Sequence, residues 1–318
     1  MSGGDAEHPV PSDRARDLVK GGYDTHIHIA PDVVKRKTTD VELARRFAEL
    51  GLAGFGLKSH YTSTAERARV VSEAVPEVDT IGTITLNRAV GGMNPVAVEI
   101  AAREGARIVW FPTVSSENEQ HEVLAADPNG KVPVWVKFEL ELREAGVVPA
   151  PVPVVAGGVL VDEARAVLEV IARHDLVLAT GHLSRAEIFV LVEGAVDAGV
   201  KRIVVTHPEF PSQRIPPEDQ RELADRGALL ERAFTTPHTG KCTWEQVFDA
   251  TRAVGAARTV LSTDLGQVFN PPVEDGLALM ADRFLEAGFT DEEVRTMAVE
   301  NTRFIAEANS GARQKAAA

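Results

Sequence analysis

The sequence predicts an α/β protein, a (β/α)8 barrel of the TIM type with an insertion between its fourth and fifth strands. Eight apolar, strand-like runs alternate with helical patterns along the 318 residues, and this alternation is typical of a parallel sheet. Eight such units are enough to close the sheet into a barrel. The alternative is an open doubly wound sheet with a second domain. That fold usually carries a GxGxxG phosphate-binding signature, which follows none of the predicted strands.

The predicted strands begin at nearly even intervals. They start near Tyr23, Gly54, Asp79, Arg107, Leu176, Arg202, Ala228 and Thr259. Helical patterns fill the gaps, such as VELARRFAELG after the first strand. Several of them end in glycine, the favoured residue just past a helix C-terminus. The one long interval separates the fourth strand from the fifth.

This long interval contains an insertion at about residues 116–156. It includes the turn signal DPNG and the segment VPVWVKFELEL, whose alternation predicts a strand and therefore a hairpin. Loops that follow barrel strands emerge at the C-terminal face, where active sites lie. The insertion is therefore a lid, a dimer contact or a decorative loop. The rest of the chain divides into an N-terminal arm (1–21), the barrel (22–308) and a tail (309–318) expected to be disordered.

The composition of the chain disfavours several classes of protein. The chain has 34 Lys and Arg against 47 Asp and Glu, a net charge of −13, without a dense basic run, which disfavours sequence-independent nucleic-acid binding. Cys242 is the only cysteine, so a disulfide framework is excluded. Neither a signal peptide nor a membrane-spanning run is evident. We expect a cytoplasmic protein that acts on a small-molecule substrate, without nucleic-acid or membrane partners, and that is able to form a homo-oligomer.

Histidines concentrate where barrel enzymes place their catalytic groups, at the C-terminal ends of the strands. Of the nine histidines, five lie at or near such ends: His26, His28, His60, His182 and His207.

His26 and His28 form an HxH pair on the first strand. Residues i and i+2 of a strand point to the same face, and two adjacent imidazoles suit a divalent cation of the zinc type. Asp24 lies on the same face. It is expected either to orient a ligand histidine or to stabilise the start of the strand.

Three further strand ends carry candidate ligands. His182 ends the fifth strand in ATGHLS and His207 ends the sixth in VTHPEF, and two histidines on adjacent strands favour ligands over isolated structural residues. Asp264 ends the eighth strand in LSTDLG, where it could simply cap the next helix. However, the eighth strand closes beside the first, so Asp264 is expected next to the HxH pair.

With these residues in this order, the chain resembles the amidohydrolase superfamily of metal-dependent hydrolases over roughly residues 22–308. The resemblance consists of DTHIH on strand one, a histidine on each of strands five and six, and an aspartate on strand eight. In addition, NTRFI, starting at Asn301, resembles the NPA-type segment near the end of many members. Each motif is weak alone, and the ordered combination is specific.

The resemblance implies roles for these residues. It makes His26, His28 and Asp264 ligands of one metal. His182 then completes a mononuclear site or, with His207, holds a second metal. It also implies that Asp264 carries a proton from the attacking water, and that His207 binds a metal or polarises the substrate.

One departure from the family pattern concerns the bridging group of binuclear members, a carboxylated lysine or a glutamate on strand four. Here strand four reads RIVWFPT and has neither. On strand two, Lys58 and His60 alternate onto the face opposite Phe55 and Leu57, which points them into the barrel. Lys58 could be a carbamate bridge, a ligand of a substrate anion, or an ion-pair partner of an acid such as Asp24. His60 is predicted to contact substrate or to support a ligand.

Other predicted site residues lie on strands three and seven. Asn87, at the end of strand three, and His238, after strand seven, are predicted to contact substrate. Glu231 and Arg232 are neighbours on strand seven, so one of them faces inward, and the sequence does not decide which.

The leading hypothesis is a metal-dependent hydrolase of a small-molecule amide, cyclic amide or lactone-type bond, with Asp264, His207 and Lys58 as catalytic residues. Zinc is the first expectation, and one or two ions of zinc, manganese, iron or nickel are compatible with histidine and aspartate ligands. The alternative is a metal-dependent decarboxylase, in which Lys58 or His60 holds the carboxylate of a small acid. A non-catalytic ligand-binding barrel is the third hypothesis, disfavoured by the full set of ligands and acid–base groups.

Overall fold

Parallel strands that follow one another in chain order dominate the computed structural model, which describes residues 8–125, 134–147 and 150–309. The strands are β1 (Tyr23–Ile27), β2 (Gly54–Leu57), β3 (Asp79–Thr85), β4 (Ala106–Trp110), β5 (Val155–Ala156), β6 (Val159–Leu160), β7 (Val177–Ala179), β8 (Arg202–Val205), β9 (Leu229–Ala233) and β10 (Thr259–Ser262). Eight of them form one parallel sheet in the order β1-β2-β3-β4-β7-β8-β9-β10, and β5 and β6 form a separate antiparallel pair. The fold is the predicted TIM barrel.

The helices mostly surround this sheet. They are α1 (Asp13–Val19), α2 (Asp40–Leu50), α3 (Ala65–Ala74), α4 (Pro95–Glu104), α5 (Glu117–Ala125), α6 (Val134–Glu144), α7 (Asp162–Arg173), α8 (Arg185–Asp197), α9 (Pro217–Asp225), α10 (Thr235–His238), α11 (Trp244–Val254), α12 (Gly276–Glu286), α13 (Asp291–Arg295) and α14 (Asn301–Ala306). A π-helical segment, Thr296–Glu300, joins the last two. Within the described ranges, every helix is too short or too polar to cross a lipid bilayer.

Local sequence signals explain where these helices begin and end. Helix α2, for example, starts at a capping box in which Thr39 and Glu42 satisfy each other's backbone N–H groups. It ends at Gly51, whose φ of 73° suits a residue without a side chain.

The core lies on both sides of the barrel wall. Outward-facing strand residues pack against the helices, and a separate apolar cluster that includes Ile81, Ile108, Val177 and Val260 fills the interior. Trp110 belongs to this inner cluster, and its ring lies 5.5 Å from the ring of His26. The histidines of the first strand therefore rest on a packed apolar floor, as in other TIM barrels.

Closure of the barrel takes place at the HxH pair. The backbone N–H of Asp264 donates to the carbonyl of His26 at 2.7 Å, and that of His28 donates to the carbonyl of Leu265 at 2.8 Å. Gly266 lies directly against this joint, because a Cβ there would stand 1.5 Å from the carbonyl oxygen of His28. The strands that carry His26, His28 and Asp264 are thus fixed to each other by backbone contacts.

The insertion differs from its predicted structure. Most of the segment VPVWVKFELEL, predicted as a strand, belongs to the helix α6 (Val134–Glu144). Its later residues are strong helix formers, and its buried Val136 and Glu139 are three residues apart, the spacing of a helix face. The turn signal DPNG lies outside the described residues. A short hairpin does occur in the insertion, but it is the β5–β6 pair.

The two ends of the chain extend the barrel. Within the predicted arm, α1 is attached to α12 by Ser12, whose hydroxyl donates to Asp282 at 2.6 Å. The first seven residues of that arm and residues 310–318 of the predicted tail lie outside the described residues. Asn309 is buried and donates to the carbonyls of Ala102 and Ala106. Asn309, the first residue of the predicted tail, is therefore fixed to the barrel.

Candidate metal centre

His26, His28 and Asp264 converge at the C-terminal end of the barrel, as the sequence predicted. Oδ1 of Asp264 lies 3.3 Å from Nε2 of His26 and 3.2 Å from Nε2 of His28. One donor atom from each residue lies within 4.8 Å of the others. Among the residues that the structure describes, these three form the group that could hold a metal ion.

The backbone at the ends of β8 and β10 is unusual. His207 has a φ of 25° and Asp264 a φ of 53°, both in the left-handed region that costs energy for a residue with a Cβ. Such conformations concentrate at functional sites, where the surrounding structure enforces them.

Glu231 is the inward-facing residue of β9, and it orients His26. Its Oε1 accepts from Nδ1 of His26 at 2.9 Å and from the hydroxyl of Ser262 at 2.8 Å, and its Oε2 accepts from the backbone N–H of His207 at 3.0 Å. A carboxylate on Nδ1 selects the tautomer that leaves the Nε2 lone pair for a metal. Arg232 faces outward, where it binds Glu209 at 2.5 Å.

Asp24 connects β1 to the residue that follows β10. It accepts from the hydroxyl of Thr263 at 2.5 Å and from its backbone N–H at 3.1 Å. Burial raises its pKa to about 7. Of the two roles that the sequence left open, these contacts fit the stabilisation of strand one, whereas Glu231 contacts the ring of His26.

The remaining strand-end histidines, His60, His182 and His207, surround the same site. Together with His26, His28 and Asp264 they form a cluster that we call the histidine chamber. The ring of His207 lies 5.9 Å from that of His26 and 4.9 Å from that of His182, and the ring of His60 lies 4.8 Å from that of His28. Burial lowers the pKa of His28 to about 3 and holds the pKa values of His60, His182 and His207 below the usual value. These imidazoles are therefore neutral, which is the form that binds metals.

Charge on the two carboxylates follows from the same surroundings. Burial opposes ionisation of Asp264 and of Glu231. However, His26 lies beside both carboxylates, His28 lies beside Asp264, and Lys58 lies near each carboxylate. These neighbours hold the pKa values of Asp264 and Glu231 below the usual range. Both groups are therefore ionised, as a metal ligand and its hydrogen-bonded supports require.

Lys58 points into the barrel, as strand alternation predicted. Its Nζ lies 2.8 Å from Nε2 of His26 and 5.1 Å from the centre of the Trp110 ring. Burial lowers its pKa to about 8. None of the ion pairs within the described ranges includes Lys58, so the predicted pairing with Asp24 is not formed. The amine donates to the lone pair that a metal on His26 would use.

Asn87 and His60 are held by the protein itself. The amide of Asn87 donates to the carbonyl of His60 and to the hydroxyl of Thr113, and its oxygen accepts from the N–H groups of Thr113 and Ser115. These four bonds use the whole capacity of the amide. They hold the amide in place, and the substrate contact of Asn87 stays a prediction. Nδ1 of His60 lies 2.8 Å from Oγ1 of Thr113.

The predicted contact His238 lies at the end of α10, exposed and stacked on Phe234 at 4.8 Å. Its ring makes no described contact with the histidine cluster. Sequence reasoning missed two residues that are closer. The ring of Phe210 lies 4.8 Å from that of His207, and Nζ of Lys241 lies 4.1 Å from the centre of the Phe210 ring. No strand-end signal marks either residue, because both belong to loops.

The donor set fits a divalent transition metal. Two imidazole nitrogens and one carboxylate oxygen converge, and separations of 3.2 and 3.3 Å between nitrogen and oxygen are close to those of ligands sharing one ion at about 2.1 Å. The carboxylate on the back of His26 completes the arrangement expected of a ligand histidine.

Solved structures of similar fold agree with this architecture. An amidohydrolase from Pseudomonas aeruginosa aligns with 14% sequence identity and a TM-score of 0.62, covering 95% of this chain and 100% of that chain. A probable dipeptidase from the same organism aligns with 11% identity, a TM-score of 0.58 and coverage of 94% and 98%. An organophosphorus hydrolase from Deinococcus radiodurans aligns with 15% identity, a TM-score of 0.55 and coverage of 94% and 100%. At these identities the likeness establishes the fold alone, a TIM barrel.

Comparison of the sequence identifies a family but no curated relative. A family model described as "Family of unknown function (DUF6282)" matches residues 21–231. No curated protein matches the chain.

Proposed function

The chain belongs to DUF6282, a family of unknown function, and from its site we propose that it is a metal-dependent hydrolase of a small molecule. The observation that carries this proposal is the convergence of His26, His28 and Asp264 within 4.8 Å, with Glu231 bound to the far nitrogen of His26. A carboxylate behind a ligand histidine is the usual support of a metal site. The hydrolases of similar fold favour the same class of reaction.

His26, His28 and Asp264 would hold the metal, and His182 would complete the set or, with His207, hold a second ion. Zinc suits this donor set best, and manganese, iron and nickel are compatible with it. The chemistry that such a metal supplies when bound is a lowered pKa of water and a polarised carbonyl group.

The residues of the chain supply the proton transfer and the orientation. Asp264 is ionised, and its Oδ2 accepts from the hydroxyl of Thr235 at 3.0 Å. This fixed carboxylate would accept the proton of the attacking water and pass it to the leaving group. His207, buried beside His182, would polarise the substrate if it does not bind a metal. Trp110 and the inner apolar cluster lie beneath these residues on the inner side of the barrel.

The cations around the chamber favour a substrate that carries an anionic group beside an amide, cyclic amide or lactone-type bond. Lys58 stands inside the barrel next to His26. Lys241 stands at the mouth, over the ring of Phe210, and takes part in none of the described ion pairs. In a protein of net charge −13, two cations at one site form a local attraction for a carboxylate or phosphate.

The test combines metal analysis with a substrate screen. The purified protein is analysed for zinc, manganese, iron and nickel and is then assayed against small amides, cyclic amides and lactones with and without a carboxylate. We expect about one or two metal ions per chain and hydrolysis that stops on chelation and returns with metal. Metal-independent hydrolysis would contradict the proposal. Release of carbon dioxide from a carboxylic acid, without hydrolysis, would establish the decarboxylase instead.

A further inference from the structure

The first turn of the insertion contacts His182 at three points. The hydroxyl of Ser116 donates to the carbonyl of His182 at 2.9 Å. The amide of Asn118 donates to the same carbonyl at 3.1 Å and to the carbonyl of Ser212 at 2.7 Å. Oε2 of Glu119 lies 3.4 Å from Nδ1 of His182, with both side chains buried. The insertion therefore holds both the backbone and the ring of this histidine.

The Glu119 carboxylate interacts with Ser212 and with His182, and its Oε2 is the oxygen that faces the imidazole. Neither its Oε2 nor Nδ1 of His182 has a hydrogen-bond partner among the described residues, and the two atoms face each other at 3.4 Å. A buried carboxylate oxygen without a partner is costly, so the imidazole that faces it is its natural donor. The backbone N–H of Glu119 is itself fixed, because it donates to the hydroxyl of Ser116 at 3.0 Å.

We propose that Glu119 is a positioning residue that selects the ring orientation and the tautomer of His182. A carboxylate accepts only from a protonated nitrogen, so Nδ1 carries the proton and Nε2, on the other side of the ring, keeps its lone pair. This is the arrangement that Glu231 imposes on His26, supplied here by the insertion instead of a barrel strand. The insertion is then a component of the site. Only the consequence for metal binding rests on the proposed function, and the ring orientation does not.

The test measures the imidazole nitrogens directly. Metal-free protein labelled with 15N-histidine is studied by NMR, and the signals of His182 are assigned by their loss in His182→Asn. We expect a single tautomer protonated on Nδ1. Glu119→Met removes the acceptor at similar volume and should shift His182 towards the form protonated on Nε2. Glu119→Gln keeps an acceptor oxygen and should retain the original tautomer. Glu117→Met, on the exposed side of the same turn, is the matched control and should change nothing.

A folded Glu119→Met protein with unchanged His182 signals would overturn the proposal. If that variant does not fold, Glu119→Asp withdraws the carboxylate by one methylene and should give the same shift, and unchanged signals there would overturn it equally. Zinc affinity, measured by competition with a chelator, should fall by about 10- to 100-fold in Glu119→Met. A tautomer shift with unchanged zinc affinity would uphold the positioning role and remove His182 from the proposed zinc ligands.

Discussion

The two sides of the histidine chamber are built in different ways. On one side, His26, His28 and Asp264 lie on the first and last barrel strands, which are bonded to each other at these residues. On the other side, His182 and His207 follow the ends of β7 and β8, and an added segment of chain holds His182. The first side is fixed by the barrel. On the second side, His182 depends on the insertion and can change with it while the barrel is preserved, whereas Glu231 of β9 holds the backbone of His207.

The largest expected effect is on metal binding, and it should differ between variants on the two sides of the histidine chamber. His26→Ala should abolish metal binding and activity while leaving the barrel folded, because stability resides in the packed layers beneath the rim. His182→Ala should weaken binding less, since the three converging donors remain. Metal content per chain and circular dichroism measure both. His174→Ala, a histidine paired with Glu99 outside the site, is the control. Equal loss of metal in the two site variants would erase the distinction.

A second test asks whether Asp264 does more than bind metal. Asp264→Asn keeps an oxygen ligand and loses the proton acceptor, so metal should largely remain while turnover falls by about 100-fold or more. Turnover is measured with the best substrate of the screen, and metal content is measured on the same sample. Near wild-type turnover would show that another group moves the proton.

The carboxylate behind His26 should have a smaller effect. Glu231→Gln replaces a charged acceptor with a neutral one, and zinc affinity should fall by about 10- to 100-fold. Competition titration with a chelator measures this, and the exposed Glu222→Gln serves as the control. The comparison with Glu119→Met is informative, because it ranks the barrel-borne support against the one from the insertion. Unchanged zinc affinity in Glu231→Gln would show that the negative charge of Glu231 is not needed to orient His26.

The smallest expected effect is a pH dependence of the free energy of unfolding that is caused by Lys58. Because burial lowers the pKa of Lys58 to about 8, the unfolded chain, with an ordinary lysine pKa, binds a proton that the folded protein lacks between about pH 8 and pH 10. The free energy of unfolding of the metal-free protein should therefore rise with pH there, by at most about 1.4 kcal/mol per pH unit.

Lys58→Met should remove this contribution, and denaturant titrations at several pH values measure the difference between the two proteins. The exposed Lys201→Met should leave the slope unchanged. If Lys58→Met had the same pH profile as the parent, the amine would titrate alike in both states.

The sequence predicts the barrel and the convergence of His26, His28 and Asp264, for physical reasons. Strand periodicity places His26 and His28 on one face, and the closure of eight parallel strands brings Asp264 beside them. Neither step requires knowledge of a loop. The segment VPVWVKFELEL shows the limit of periodicity, because a short run of alternating apolar residues fits a strand, whereas helix-forming residues and tertiary packing made it a helix.

The missed contacts depend on partners from distant parts of the chain. Glu231 and Arg232 are both charged and both buried, and each face of β9 offers a partner, so alternation could not choose between them. Asn87 lies just past β3, and its amide bonds the backbone and the Thr113 hydroxyl of neighbouring segments, which strand periodicity does not reveal. Glu119 is visible only once the path of the insertion is known.

Gly266 has a consequence for how this protein tolerates sequence change. It carries no functional group, yet any side chain there would collide with the carbonyl of His28, and its φ of 134° is rarely adopted by other residues. In a deep mutational scan, position 266 should therefore be as intolerant as the ligand positions themselves. Such a scan would map the candidate metal centre partly through a residue that has no side chain to bind a metal.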